Sequence, residues 1–146
     1  MKNKLLYLGQ YLHSVDKKNR LFLPSKFRSK KSKYIVSKGL EGCLYLYDSE
    51  GWDKVILKLE NLSLPDKKEE RAFKRALFSG AGEVECDSQG RILLPQALVS
   101  YAAIKSQATI IGVGNRLEIW DSARWEKYQK ENAEVSLKNM ASKMEI

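Results

Sequence analysis

"VDKKNRLFLPSKFR", residues 15–28, returns further along the chain as "CDSQGRILLPQAL", residues 86–98. In register, Asp16 falls on Asp87, Arg20 on Arg91 and Pro24 on Pro95, at a constant offset of 71. Between Arg and Pro each copy carries three apolar residues, Leu21-Phe22-Leu23 and Ile92-Leu93-Leu94. A turn that recurs in register with its apolar strand marks a duplicated unit, so the rest of the chain is read as two copies. "CLYLYDSEGWDK" (43–54) likewise answers to "RLEIWDSARWEK" (116–127), now at an offset of 73, which implies a two-residue insertion in between.

Each unit reads the same way. A strand enters a turn at Asp16–Arg20 or Asp87–Arg91, and a short apolar strand leaves it. Gly90 can take positive φ without strain, and Asn19, at the matching place, is the next-best tolerated residue. Asp16 and Asp87 can accept from N–H groups of their own turns. Pro24 and Pro95 suit the first turn of a brief helix, where the missing N–H costs nothing. Two strands follow, "YIVSKG" then "CLYLY" or "ATIIGVG" then "LEIW", and a helix capped by Asp48/Ser49 or Asp121/Ser122 ends the unit. Between the copies Ala72, Phe73, Ala76 and Leu77 recur at helical spacing, opposite Lys67, Lys68, Arg71, Lys74 and Arg75. This predicts a helix that covers the core and keeps a basic face in solvent. The expected organisation is a first repeat over 5–63, a connecting basic amphipathic helix over 64–81, a second repeat over 82–130 and a helix-prone tail over 131–146.

The chain has 146 residues, 43% of them hydrophobic, enough to bury a core. Its 26 basic against 18 acidic residues favour an anionic partner. The excess is uneven. Residues 1–34 hold Lys2, Lys4, Lys17, Lys18, Arg20, Lys26, Arg28, Lys30, Lys31 and Lys33 against Asp16 alone. Cys43 and Cys86 lack the spacing of a metal knuckle or redox pair and read as small apolar residues. No signal-like stretch and no run of about 20 apolar residues is present, which points to the cytoplasm.

Catalytic patterns are scarce. His13 is the single histidine, "GVGNR" is no phosphate loop, and neither aspartate lies in the Asp-Ser/Thr-Gly turn of an acid-protease dyad. An Arg four places on would also hold each Asp ionised. No catalytic residue, metal, cofactor or small-molecule substrate is therefore expected. Trp52, Trp120, Trp125, Tyr45 and Tyr47 read as core.

Lys17, Lys18 and Arg20 project from the first turn, and Lys26 and Arg28 follow within one helical turn, where cations can engage phosphates or guanine edges. The second copy has Ser88 and Gln89 in place of the two lysines and keeps Arg91. At these residues the sequence resembles the MraZ family, bacterial regulators with two units related to the AbrB/MazE swapped-hairpin proteins. The resemblance rests on Asp16…Arg20-Leu-Phe-Leu-Pro24-Ser-Lys-Phe-Arg28, Asp87…Gly90-Arg91-Ile-Leu-Leu-Pro95, "YLGQYLHSVD" and "KRALFSGAGEVECD", and spans about residues 5–128. It implies a mainly β fold with capping helices, a double-split β-barrel built from two AbrB-like repeats. It also implies assembly into closed rings that bind G-rich direct repeats in double-stranded promoter DNA upstream of their own division and cell-wall operon, in the nucleoid. The DNA-facing residues it implies are Lys17, Lys18, Arg20, Lys26, Arg28, Gln89 and Arg91, on turns shaped by Asp16, Asn19, Asp87 and Gly90. Asn19 stands where relatives commonly have Gly. In this expectation the apolar triplets enter the core and the arginines point outward. The competing expectation is an oligomeric interaction scaffold or antitoxin-like partner module.

Overall fold

The computed structural model describes residues 6–28 and 33–146, so Lys2, Lys4, Lys30 and Lys31 of the basic run lie outside the described residues. The first copy runs β1 (Gln10–Ser14), β2 (Arg20–Phe22), α1 (Ser25–Arg28), β3 (Lys33–Lys38), β4 (Leu44–Tyr47) and α2 (Ser49–Glu60). After α3 (Lys67–Ser79) the second copy repeats this as β5 (Gly82–Glu85), β6 (Arg91–Leu93), α4 (Gln96–Tyr101), β7 (Gln107–Gly112), β8 (Leu117–Asp121) and α5 (Ser122–Tyr128). A π turn at Gln129–Ala133 leads into α6 (Glu134–Met144). Among the described residues no helix is long and apolar enough to cross a membrane.

The copies interleave. Six strands form one antiparallel sheet in the order β1-β7-β8-β4-β3-β5, and β2 and β6 form a separate ribbon. The first strand of each copy therefore pairs with the third strand of the other. Leu21 opposes Ile92 in the ribbon and Tyr45 opposes Glu118 in the sheet, both self-matching positions of the repeat, so a pseudo-twofold axis passes through both points. The pairs Ser14–Gln107 and Glu85–Lys33 place the third strands at an offset of 74. The expected two-residue insertion is thus three residues gained before β7 and one lost in the hairpin after it. Among the described residues no ladder joins edge strands β1 and β5.

The main core lies between one face of the sheet and the ribbon. Leu21, Leu23, Ile92 and Leu94 meet Leu46, Ile110 and Ile119 there, all at most 1% exposed. Each such side chain contributes about 1.5–3 kcal/mol over leaving it in water. The middle residue of each triplet departs from the expectation: Phe22 is 42% exposed and Leu93 58%. Successive side chains of a strand point to opposite faces, so a three-residue strand cannot bury all three. On the other sheet face Ile111, Trp120 and Trp125 form a second cluster with Cys43. Both closing helices start on the expected aspartates, whose carboxylates accept from Gly51 N and Arg124 N. The Asp48 carboxylate also accepts from the buried Tyr7 hydroxyl at 2.6 Å.

Helix α3 is capped by Asp66, which accepts from Lys68 N and Glu69 N. It covers less than its periodicity suggests. Phe78 packs edge-on against Trp52 at 6.3 Å, while Ala72, Phe73 and Ala76 remain exposed. The apolar stripe exists, but among the described residues only Leu77 of it is half-buried.

Candidate nucleic-acid interface

Two near-identical turns stand at opposite ends of the ribbon. Asp16 Oδ1 accepts from Lys18 N and Arg20 N, both at 2.9 Å, and its Oδ2 accepts from Arg20 Nε at 2.6 Å. Asp87 repeats the pattern with Gln89 N and Arg91 N at 2.9 Å and Arg91 Nε at 2.9 Å. The chain reverses through left-handed residues, Asn19 at φ 63° and Gly90 at φ 83°. Each turn is also stitched to the other copy, with Leu23 N donating to Gly90 O and Leu94 N to Asn19 O.

The stitching explains why different residues occupy the two left-handed positions. Asn19 Nδ2 donates to Gln96 Oε1 at the start of α4, tying the first turn to the second copy. At Gly90 the space is taken: a Cβ there would lie 1.5 Å from Arg28 Nη1, which donates to Gln89 O at 3.1 Å. Only glycine satisfies both the backbone angle and the arginine.

Both aspartates are held below the ordinary carboxylate range, chiefly by the backbone N–H of Arg20 or Arg91 and further by that residue's guanidinium. They are therefore ionised at neutral pH. Two carboxyls sharing a proton would need one of them raised, so the geometry opposes a protease-like role. The arginines are half-fixed: Nε is committed to the aspartate, and the side chains are 34% exposed for Arg20 and 20% for Arg91. A guanidinium has four further N–H donors on its two terminal nitrogens.

The expected DNA-facing residues separate into groups. Lys17 and Lys18 are exposed at the tip of the first turn, beside Arg20, and Gln89 is exposed in the second, beside Arg91. Because β2 and β6 are antiparallel with Arg20 opposite Leu93 and Phe22 opposite Arg91, both arginines fall on the outward face of the ribbon. Lys26 Nζ instead lies over the Tyr11 and Phe27 rings, at 5.4 and 5.1 Å from their centroids. Arg28 crosses to the second turn. Two outward residues escape a motif-based reading, Phe22 and Leu93, and the strand alternation just described is the signal that locates them. His13, half-buried on β1, lies 6.5 Å from the Phe22 ring with the two planes tilted by 45°. Burial, and then the nearby Arg28, lower its pKa.

The family model described as "MraZ protein, putative antitoxin-like" matches the chain twice, over residues 6–76 and 77–145. The second match begins 71 positions after the first, the offset of the turn motif. Among curated proteins the chain is 46% identical over 140 residues to the transcriptional regulator MraZ of Acetivibrio thermocellus, covering 95% of this chain and 96% of the relative. The same coverage holds at 44% identity for the transcriptional regulator MraZ of Clostridium tetani and at 41% for that of Ligilactobacillus salivarius. With two family matches spanning nearly its whole length and relatives this similar, the chain belongs to the MraZ family.

Proposed function

We propose that the protein is a sequence-specific DNA-binding transcriptional regulator that recognises G-rich direct repeats upstream of its own division and cell-wall operon. The observation that carries this is the pair of rigid Asp–Arg turns on one outward ribbon face, with Lys17 and Lys18 added to the first. A two-stranded ribbon fits the major groove, and an arginine fork there grips guanine O6 and N7 together. Ribbon geometry puts the two arginine Cα atoms roughly 8 Å apart on the diagonal, within reach of guanines two to three base steps apart. Asp16 and Asp87 serve as positioning residues: they fix each guanidinium before DNA arrives. The lysines hold phosphates and make the first copy the stronger grip. The sheet and ribbon serve as the two parts of a double-split barrel around the shared core.

Assembly into a ring is part of this reading. Phe73, Leu57 and Met140 lie 47%, 58% and 48% exposed on three helices, and contact between subunits would cover them. Several turns per ring would then meet several repeats at once and multiply a modest single-site affinity. The same exposed helices are the one feature favouring an interaction scaffold or antitoxin-like partner instead.

Binding of Arg20→Ala and Arg91→Ala to a labelled upstream duplex tests the assignment. The first should lose about 1–3 kcal/mol, the range for a bidentate base contact, and the second less. Unchanged affinity in both variants would remove the turns from the interface.

A further inference from the structure

On the outward ribbon face, Phe22 and Leu93 alternate with the two arginines: Phe22 opposes Arg91, and Arg20 opposes Leu93. They are 42% and 58% exposed while their neighbours Leu21 and Ile92 are fully buried. An aromatic and an aliphatic side chain thus stand in a cationic face with their apolar atoms in solvent. Two groups flank the Phe22 ring. Arg91 Cζ lies 5.9 Å from its centroid and the His13 ring 6.5 Å away.

We infer that Phe22 and Leu93 are specificity residues that contact the 5-methyl groups of thymines lying beside the guanines gripped by Arg20 and Arg91. This rests on the DNA reading above. The thymine methyl is the apolar group that base edges present in the major groove, and Phe is a suitable partner for it. Charge complementarity favours nucleic acid as the occupant: Asp16 and Asp87 offset the two arginines, and Lys17 and Lys18 leave a net positive charge beside the two apolar residues. The spacing is suitable as well. Directly opposed residues of an antiparallel pair are about 5 Å apart, so each apolar side chain falls within about one or two base steps of the arginine across from it. The copies differ, with a flat ring in one and a branched chain in the other, so the two halves of the site need not have the same sequence.

The test compares the upstream duplex with the same duplex in which every thymine is replaced by uracil, which lacks only the methyl. Full-length chain should bind the thymine form about fourfold more tightly per contacted methyl, the factor expected for burying one CH₂-sized group. In Phe22→Ala/Leu93→Ala that ratio should fall towards one, while preference for native over scrambled duplex remains and chromatographic size is unchanged. Phe22→Leu should keep part of the ratio. A ratio of one in the wild-type chain, or one unaltered by the double variant, overturns the inference and leaves DNA binding standing. A changed oligomer size with an unaltered ratio shows that these residues face another subunit, and also overturns it. Loss of native-over-scrambled preference in the wild-type chain would remove the DNA reading itself, and this inference with it.

Discussion

Gly90→Ala should destabilise the protein by about 2–3 kcal/mol, and the structure divides that figure into two parts. The residue sits at φ 83°, where an L side chain costs about 1–2 kcal/mol. The added Cβ would also meet Arg28 Nη1 at 1.5 Å and Cδ at 2.5 Å, so the end of that side chain must leave and its bond to Gln89 O is lost. A net hydrogen bond of this kind is worth about 0.5–1.5 kcal/mol. Urea unfolding at fixed protein concentration measures the total, and a thermal scan should show Tm lowered by about 4–12 °C for a chain of this size. Arg28→Ala in the same background separates the parts. With the arginine gone, the Gly90→Ala change should cost only the backbone strain, which a double-mutant cycle reads directly. Destabilisation below about 0.5 kcal/mol for Gly90→Ala would show that the turn tolerates a side chain, and the explanation of why glycine stands here and asparagine at position 19 would fail.

Interleaving makes a second prediction: fragments 1–63 and 64–146, co-expressed, should copurify as a 1:1 complex, because β1 and β5 each have their ladder partner in the other fragment. A single fragment that stays folded as a monomer would contradict the swapped pairing. In acid the two turns should weaken. Both aspartates are depressed below the ordinary 3.8, so their stabilisation is complete above about pH 4 and is lost as pH falls through the lower folded values. Unfolding midpoints followed downward from pH 5 should show that loss, and Asp16→Asn/Asp87→Asn should flatten the acid limb. An unchanged limb would mean that these carboxylates do not support the fold.

Much of the arrangement is legible in residues alone, and the reasons differ by element. The turns carry their own chemistry, an aspartate to accept N–H groups and a Gly or Asn for the left-handed residue, so local reading places them. Helix caps at Asp48, Asp66 and Asp121 are local in the same way. Strand partners are another matter. Nothing in the spacing of "YIVSK" says that it pairs with "GEVE" of the other copy, because pairing between copies depends on long-range packing of matched apolar faces. The fate of Phe22 and Leu93 lies between these cases: alternation in a strand dictates that one of three residues turns outward, yet an unbroken apolar triplet reads as core. Arg28 follows the first turn closely in sequence, yet its guanidinium reaches Gln89 of the second turn, a contact that spacing alone does not show. The α3 stripe shows the opposite limit. Ala72, Phe73 and Ala76 have helical spacing, but among the described residues they stay exposed.

Recognition of specific DNA is the central claim, and fluorescence anisotropy tests it most directly. The full chain is titrated against the duplex upstream of its own gene and against a scrambled duplex, across a salt series. The account predicts tighter binding to the native duplex, with log affinity falling by about 0.9 per phosphate contact for each unit of log salt. Equal, weak binding to both duplexes at every salt concentration would contradict it, leaving a basic protein whose exposed helices meet protein partners instead.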